Sequence, residues 1–165
     1  MSVTIRPATR EDATDLIGVV NAIIAAGGTT AHQTPFDANR LYRHYVAPLG
    51  IVSCQVAVLD GVPVGFQSLQ WPDDEGDPFP DGWAIIASFV APEAAGQGIG
   101  RALFEATRGA ARAAGVTTID ATIRADNQGG LRYYGGLGFA DYDVLRAIPL
   151  RDGTRVDRIR KRFDL

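Results

Sequence analysis

The stretch that decides the fold reads Pro92-Glu93-Ala94-Ala95-Gly96-Gln97-Gly98-Ile99-Gly100-Arg101. An apolar run, Ala84-Ile85-Ile86-Ala87-Ser88-Phe89-Val90, leads into it, and a helical pattern over 99–114 leads out. The order is strand, glycine turn, helix. Such a turn exposes backbone N–H groups at a helix N-terminus, and the helix dipole adds positive partial charge there, so a phosphate finds ready donors. Gly96, Gly98 and Gly100 equally suit a plain tight connection.

Around this stretch the chain alternates strands and helices. The helix after the turn is expected to bury Ile99, Ala102, Leu103, Ala106, Ala110 and Ala113, and to show Arg101, Glu105, Arg108 and Arg112 to solvent. Upstream, residues 3–6 form a short strand stopped at Pro7. Thr9 with Asp12 resembles a capping box, and Ala13, Leu16, Ile17, Val20 and Ile24 follow at helical spacing up to Gly27-Gly28. Asp37 suits the cap of a second helix bearing Leu41, Tyr42 and Tyr45. Strands over 51–59 and 62–69 join at Asp60-Gly61, a two-residue hairpin signal, and Pro63 needs an unpaired side or the strand start. Downstream come a strand over 117–123, a short helix from Asp126-Asn127 to Gly138, and a hairpin of 139–148 with 155–163. The order β-α-α-β-β-β-α-β-α-β-β predicts one α/β domain over 1–165 with a mixed, mostly antiparallel sheet flanked by helices.

Composition narrows the classes. The chain has 165 residues, 46% of them hydrophobic, and a net charge of −3, so no strong field favours nucleic acid or an anionic membrane. The single cysteine, Cys54, excludes an internal disulfide framework and lies in an apolar run as a small core residue. No charged region followed by a long apolar one opens the chain and no apolar stretch is long enough to span a membrane, so the cytoplasm is the expected location. The loop from Trp71 to Gly82 carries Asp73, Asp74, Glu75, Asp77 and Asp81; it is either a solvated hairpin tip or a patch for a cationic acceptor. Arg155, Arg158, Arg160, Lys161 and Arg162 are expected to protect an edge strand.

Two motifs sit in this order. The first is Val90-Ala91-Pro92 followed by Ala95-Gly96-Gln97-Gly98-Ile99-Gly100-Arg101. The second is Asn127 with Tyr134 seven residues on, then Gly138-Phe139 four and five beyond that. Together they resemble the GNAT superfamily of N-acetyltransferases, over essentially the whole chain. Two positions depart from the pattern: Ala95 replaces the usual Arg or Gln, and the helix start Asn127-Gln128-Gly129-Gly130 is rich in glycine. The Thr29-Thr30…Thr34-Pro35-Phe36 loop and the last hairpin add a mild likeness to amino-acid acetyltransferases of the phosphinothricin type.

The resemblance implies acetyl-CoA as co-substrate and no metal. Its pyrophosphate would lie on the amides of Ala95, Gly96, Gln97, Gly98, Ile99, Gly100 and Arg101. The pantetheine arm would pair with the main chain of Phe89 and Val90, and an amide there would polarise the thioester carbonyl. Asn127 would anchor the arm, cap its own helix, or both. A small-molecule primary amine would attack directly, and Tyr134 would protonate the leaving thiolate. Tyr134 can equally be a packed aromatic; Tyr133, one residue away, is expected to face elsewhere. Many relatives carry a Glu on the strand before the glycine turn, and residues 83–90 contain no Glu, Asp or His. Ser88 could hold a water, His32 reads as a solvated loop residue, and His44 as structural, leaving ordered water as the expected route for the amine's proton. Many relatives are homodimers.

Two other classes compete. Gly96-x-Gly98 with Asp120, 20 residues after Gly100, echoes a dinucleotide fingerprint, but the third glycine falls at Arg101 and Asp120 sits inside a strand. A non-catalytic acyl-CoA sensor would need the same cofactor loop and no turnover.

Overall fold

In the computed structural model, which describes residues 2–73, 75–76 and 78–165, seven segments of strand pattern pair into one sheet. The strands are β1 (Val3–Pro7), β2 (Ile51–Leu59), β3 (Val62–Gln70), β4 (Trp83–Val90), β5 (Thr118–Arg124), β6 (Ala140–Pro149) and β7 (Arg155–Asp164). The helices are α1 (Asp12–Ala26), α2 (Ala38–Leu41), α3 (Ile99–Ala113) and α4 (Gln128–Leu137). The sheet runs β1-β2-β3-β4-β5-β7-β6. All pairings are antiparallel except β4 with β5. The expected α/β class, element order and mostly antiparallel sheet are found.

Alternation along the strands sends side chains to two apolar layers. On one face Leu16 and Val20 of α1 and Leu41 of α2 pack on Cys54, Val56, Phe66 and Phe89. On the other, Leu103 packs with Ala57, and Phe104 and Ala111 pack with Ala84, Ile86 and Ile119. Cys54 is buried in the first layer, and burial pushes its thiol up to about 12. The β2–β3 turn has φ 49° at Asp60 and 84° at Gly61, the double positive φ of a type I′ hairpin. Pro63 is tolerated because the register slips beside it, between Ala57 and Val58.

Local signals set the helix ends. Asp37 Oδ1 accepts from Arg40 N at 2.7 Å and caps α2. At α1 the box runs one way only. Asp12 Oδ2 accepts from the Thr9 backbone N–H at 2.7 Å, while Thr9 Oγ1 gives its proton to Asp12 and accepts nothing from the helix. Arg6 clamps the same carboxylate at 2.8 and 2.9 Å. The Arg6 hydrogen bond holds the Asp12 carboxyl below its ordinary range despite partial burial. A depressed carboxyl stabilises the fold above its unfolded pKa, and that stability is lost as pH falls through the folded value. Asp12→Asn is therefore expected to lower the melting temperature at pH 7, and the gap to the native protein should close below about pH 4. Thermal melts at pH 7 and pH 3 check this.

Two expectations are corrected. The buried stripe of α3 is Ile99, Leu103, Phe104, Thr107 and Ala111, while Ala113 is exposed, so the helix is rotated from the expected face. The basic segment lies on β7, an interior strand between β5 and β6. Its cations balance local acids instead of guarding an edge: Lys161 bonds Asp141 at 2.5 Å, Arg162 bonds Asp164 at 2.9 Å, and Arg160 faces Asp120 at 3.8 Å. In the acidic loop, Asp74 and Asp77 lie outside the described residues. Asp73 is engaged in a local turn, accepting from Glu75 N and Gly76 N.

Candidate active site

The parallel β4–β5 pairing lasts only from Trp83 to Ile85 on β4, opposite Thr118 to Asp120 on β5. Beyond that point the strands diverge. β4 stays paired with β3 as far as Val90, and β5 with β7 as far as Arg124. Among the described residues the β5-facing edge of β4 therefore has no strand partner from Ile86 onward, and a cleft of about 810 Å³ opens between the two strands. An unpaired main-chain edge is a template for an extended ligand bearing amide groups.

At the mouth of the cleft α3 presents its N-terminus. Its cap residue, Gly98, has φ 76° and no side chain, so no side chain satisfies the first-turn N–H groups. Gly96 also has positive φ, 79°. Gly100 is glycine for a different reason: a Cβ there would meet Tyr133 Cε1 at 2.6 Å. Ala95, Gly96, Gly98, Ile99, Gly100 and Arg101 line the cleft, as do Phe89, Val90, Asn127 and Tyr134. Gln97 alone among the expected residues does not. Asn127 caps α4, its Oδ1 accepting from Gly130 N at 2.9 Å, and its Nδ2 donates to Thr29 O at 3.1 Å, tying α4 to the loop after α1.

Inside the cleft two phenols converge. The Tyr134 hydroxyl lies 2.8 Å from Ser88 Oγ. Gln67 Nε2 donates to Ser88 Oγ at 2.8 Å and to the Tyr133 hydroxyl at 3.0 Å, and Tyr133 donates to Gly100 O at 2.6 Å. Because Tyr133 gives its proton to a carbonyl, its oxygen must accept from Gln67, which fixes the amide orientation. Ser88, already accepting from Gln67, can either donate to Tyr134 or accept from it with its second lone pair; when Ser88 donates, the Tyr134 proton is left for the cleft. Burial, with Tyr133 beside it, pushes the Tyr134 phenol well above its ordinary value, so it is protonated at neutral pH. Burial also pushes Tyr133 up to about 12. Tyr133 does not face elsewhere, as its sequence position suggested; it joins the same network.

His32 is likewise no solvated loop residue. It is half-buried, its Nε2 lies 2.6 Å from the Tyr45 hydroxyl, and its ring packs edge-on to Phe36 and His44. Burial and the nearby His44 and Arg40 lower it to about 4, so the ring is neutral at pH 7. Next to the cleft, a second cavity of about 740 Å³ is bounded by the end of α1, the following loop and the β6–β7 turn. The two share Thr30, His32 and Arg124. No described residue of the acidic loop lines either space, so its described carboxylates form no acceptor patch at this site. Asp120 is fully buried, accepting from Tyr142 at 2.5 Å and Thr122 at 2.8 Å, and cannot serve as a ribose ligand. The dinucleotide reading fails on that residue and on the mostly antiparallel sheet. Among the described residues no cluster of His, Cys, Asp or Glu could hold a metal, and no helix is long and apolar enough to cross a membrane.

A splayed strand pair, a bare helix N-terminus and a buried phenol form a site suited to acyl transfer from a phosphate-bearing carrier. The chain belongs to the acetyltransferase (GNAT) family, whose profile matches residues 16–139. Solved structures with the same fold include a phosphinothricin acetyltransferase of the GNAT superfamily from Sinorhizobium meliloti in complex with acetyl-CoA. It is 20% identical with a TM-score of 0.79, covering 100% of this chain and 89% of that one. A ribosomal-protein-alanine N-acetyltransferase from Brucella melitensis is 24% identical with a TM-score of 0.80, covering 98% and 99%. An N-acetyltransferase from Staphylococcus aureus Mu50 is 19% identical with a TM-score of 0.80, covering 99% of each chain. No curated protein sequence matches the chain significantly.

Proposed function

We propose that this chain moves the acetyl group of acetyl-CoA to the primary amine of a small molecule by direct attack on the thioester. The observation that carries this reading is the cleft itself. The unpaired edge of β4 runs from the bare N-terminus of α3 to the Ser88–Tyr134 pair, the path an extended pantetheine would take from pyrophosphate to thioester. The amides from Gly96 to Arg101 would hold the pyrophosphate. Ala95 removes one side chain from a loop whose donors are main-chain groups. The main chain of Phe89 and Val90 would pair with the arm, and an N–H there would stabilise the oxyanion. Asn127 already caps α4 and keeps one Nδ2 proton for the arm. The acceptor would enter through the 740 Å³ cavity, whose floor at Thr30, His32 and Arg124 is also the wall of the cleft.

The test is CoA release from acetyl-CoA with a panel of amino acids, polyamines, aminoglycosides and peptides with free N-termini, alongside calorimetric titration of acetyl-CoA. Saturable release with at least one small amine is the expected result. Tight acetyl-CoA binding with no release for any amine would make the chain a sensor and sink the reading.

A further inference from the structure

We propose that His32, acting through the Tyr45 hydroxyl, takes the proton that the attacking amine must lose. The proposal rests on the transferase reading above and supplies the group that β4 lacks.

Position comes first. His32 borders both the acceptor cavity and the thioester cleft, and Tyr45 lines the cleft with Ser88 and Tyr134. The boundary between the two spaces is lined by His32 with Thr30 and Arg124. Tyr45 is held firmly. It lies on a π-helical turn (Tyr42–Val46) that follows α2, its carbonyl accepts from Ser68 Oγ at 2.7 Å, and its ring packs on Phe66 and Phe89 at 5.5 and 5.4 Å. Single π turns often mark functional positions. The 2.6 Å contact between Tyr45 and His32 Nε2 makes a ready path for a proton.

Chemistry narrows the choice among the described lining residues. The described residues lining the cleft include no carboxylate, and the cavity has one, Asp152, out on the exposed β6–β7 turn. The other ionisable groups are tyrosines, which are neutral, and arginines, which are charged. The titratable groups facing His32 are Arg40, His44 and Tyr45, from α2 and the π turn, while Arg124 of β5 lines the same two spaces. Burial first, with His44 and Arg40 beside it, lowers His32 to about 4, so the imidazole is neutral and its lone pair is open to a proton at pH 7.

The step balances as follows. The amine nitrogen bonds the thioester carbon and an N–H bond breaks. That proton goes to Tyr45 Oη while the Tyr45 proton passes to His32 Nε2, giving an imidazolium. The C–S bond then breaks and the thiolate takes the Tyr134 proton. Solvent later removes the His32 proton and restores Tyr134.

The experiment compares His32→Gln and Tyr45→Phe with the native enzyme, using the best amine of the panel and hydroxylamine, which is unprotonated at neutral pH. With the panel amine, kcat is expected to fall about 100-fold in each variant, the low end for a lost general base. With hydroxylamine, which needs less help to shed a proton, the loss should be under about tenfold. Acetyl-CoA affinity should not change. Added imidazole, entering the adjacent cavity, should restore His32→Gly by about tenfold. Native kcat in both variants, or equal losses with the two nucleophiles and no imidazole rescue, would overturn the proposal. A native enzyme that binds acetyl-CoA and acetylates nothing would remove the transferase reading, and this proposal with it.

Discussion

Tyr134→Phe is expected to lower kcat about 100-fold or more while leaving acetyl-CoA affinity nearly unchanged. The substitution removes one oxygen from a ring that packs between Tyr133 and Phe139, at centroid distances of 4.8 and 5.2 Å. Packing survives it. The structural loss is the hydrogen bond to Ser88, worth about 1 kcal/mol of stability. The chemical loss is expected to be larger, because Tyr134 lines the cleft as a protonated hydroxyl that a donating Ser88 would leave free to give its proton there. A phenol raised by burial is a weak acid in water. The thiolate it must protonate is desolvated in the same cleft, which raises the thiol's pKa too and narrows the mismatch. The acid works in its protonated form, so activity is lost only above its pKa, which lies above the ordinary value of about 10. The pH profile of the native enzyme should therefore show no alkaline limb from this group below about pH 10. A limb near pH 8 that persists in Tyr134→Phe, or unchanged kcat in the variant, would assign the acid elsewhere.

Much of the cofactor half is legible in the sequence because it rests on local chemistry. Glycines at positive φ, a bare helix start and a strand leading into it are written in ten consecutive residues. Asn127 and Gly138 mark both ends of α4, and the structure uses them as cap and left-handed stop. What escapes is non-local. Nothing in Trp83–Val90 says that β4 leaves β5 after three residue pairs, because divergence is a property of two strands and not of one. The last hairpin reads the same whichever strand joins β5, so the burial of Arg160 and Lys161 beside β5 and β6 is hidden. The face of α3 is ambiguous because alanines lie all around it; only Phe104 discriminates, and it belongs to the stripe with Thr107 and Ala111. His32 meets the Tyr45 hydroxyl on the π turn, 13 residues further on, so the half-burial of this loop histidine is hidden too. Tyr133 reads as facing away from Tyr134 because adjacent helix positions point about 100° apart. A tyrosine is long enough to bring its hydroxyl back to the shared network.

Gly100→Ala should destabilise the fold by about 1–3 kcal/mol and weaken acetyl-CoA binding, although glycine to alanine inside a helix ordinarily stabilises by about 0.5–1 kcal/mol. The sign reverses because of one neighbour. The added methyl would sit 2.6 Å from Tyr133 Cε1, 3.1 Å from Cζ and 3.3 Å from Cδ1. The ring cannot swing aside cheaply, since its hydroxyl is tied to Gly100 O and Gln67. Either those bonds break, which also frees the Gln67 amide that orients Ser88, or the first turn of α3 moves and takes its N–H groups from the place a pyrophosphate needs them. Gly109 supplies the internal control. It lies in the same helix, and a methyl added there would meet nothing within 4 Å, so Gly109→Ala should raise the melting temperature. Thermal melts and acetyl-CoA titrations of the two variants read the contrast. Repeating Gly100→Ala in a Tyr133→Ala background should abolish most of the penalty, because the clash then has no second partner. A penalty that survives there would place its cause in the helix backbone and not in the Tyr133 contact.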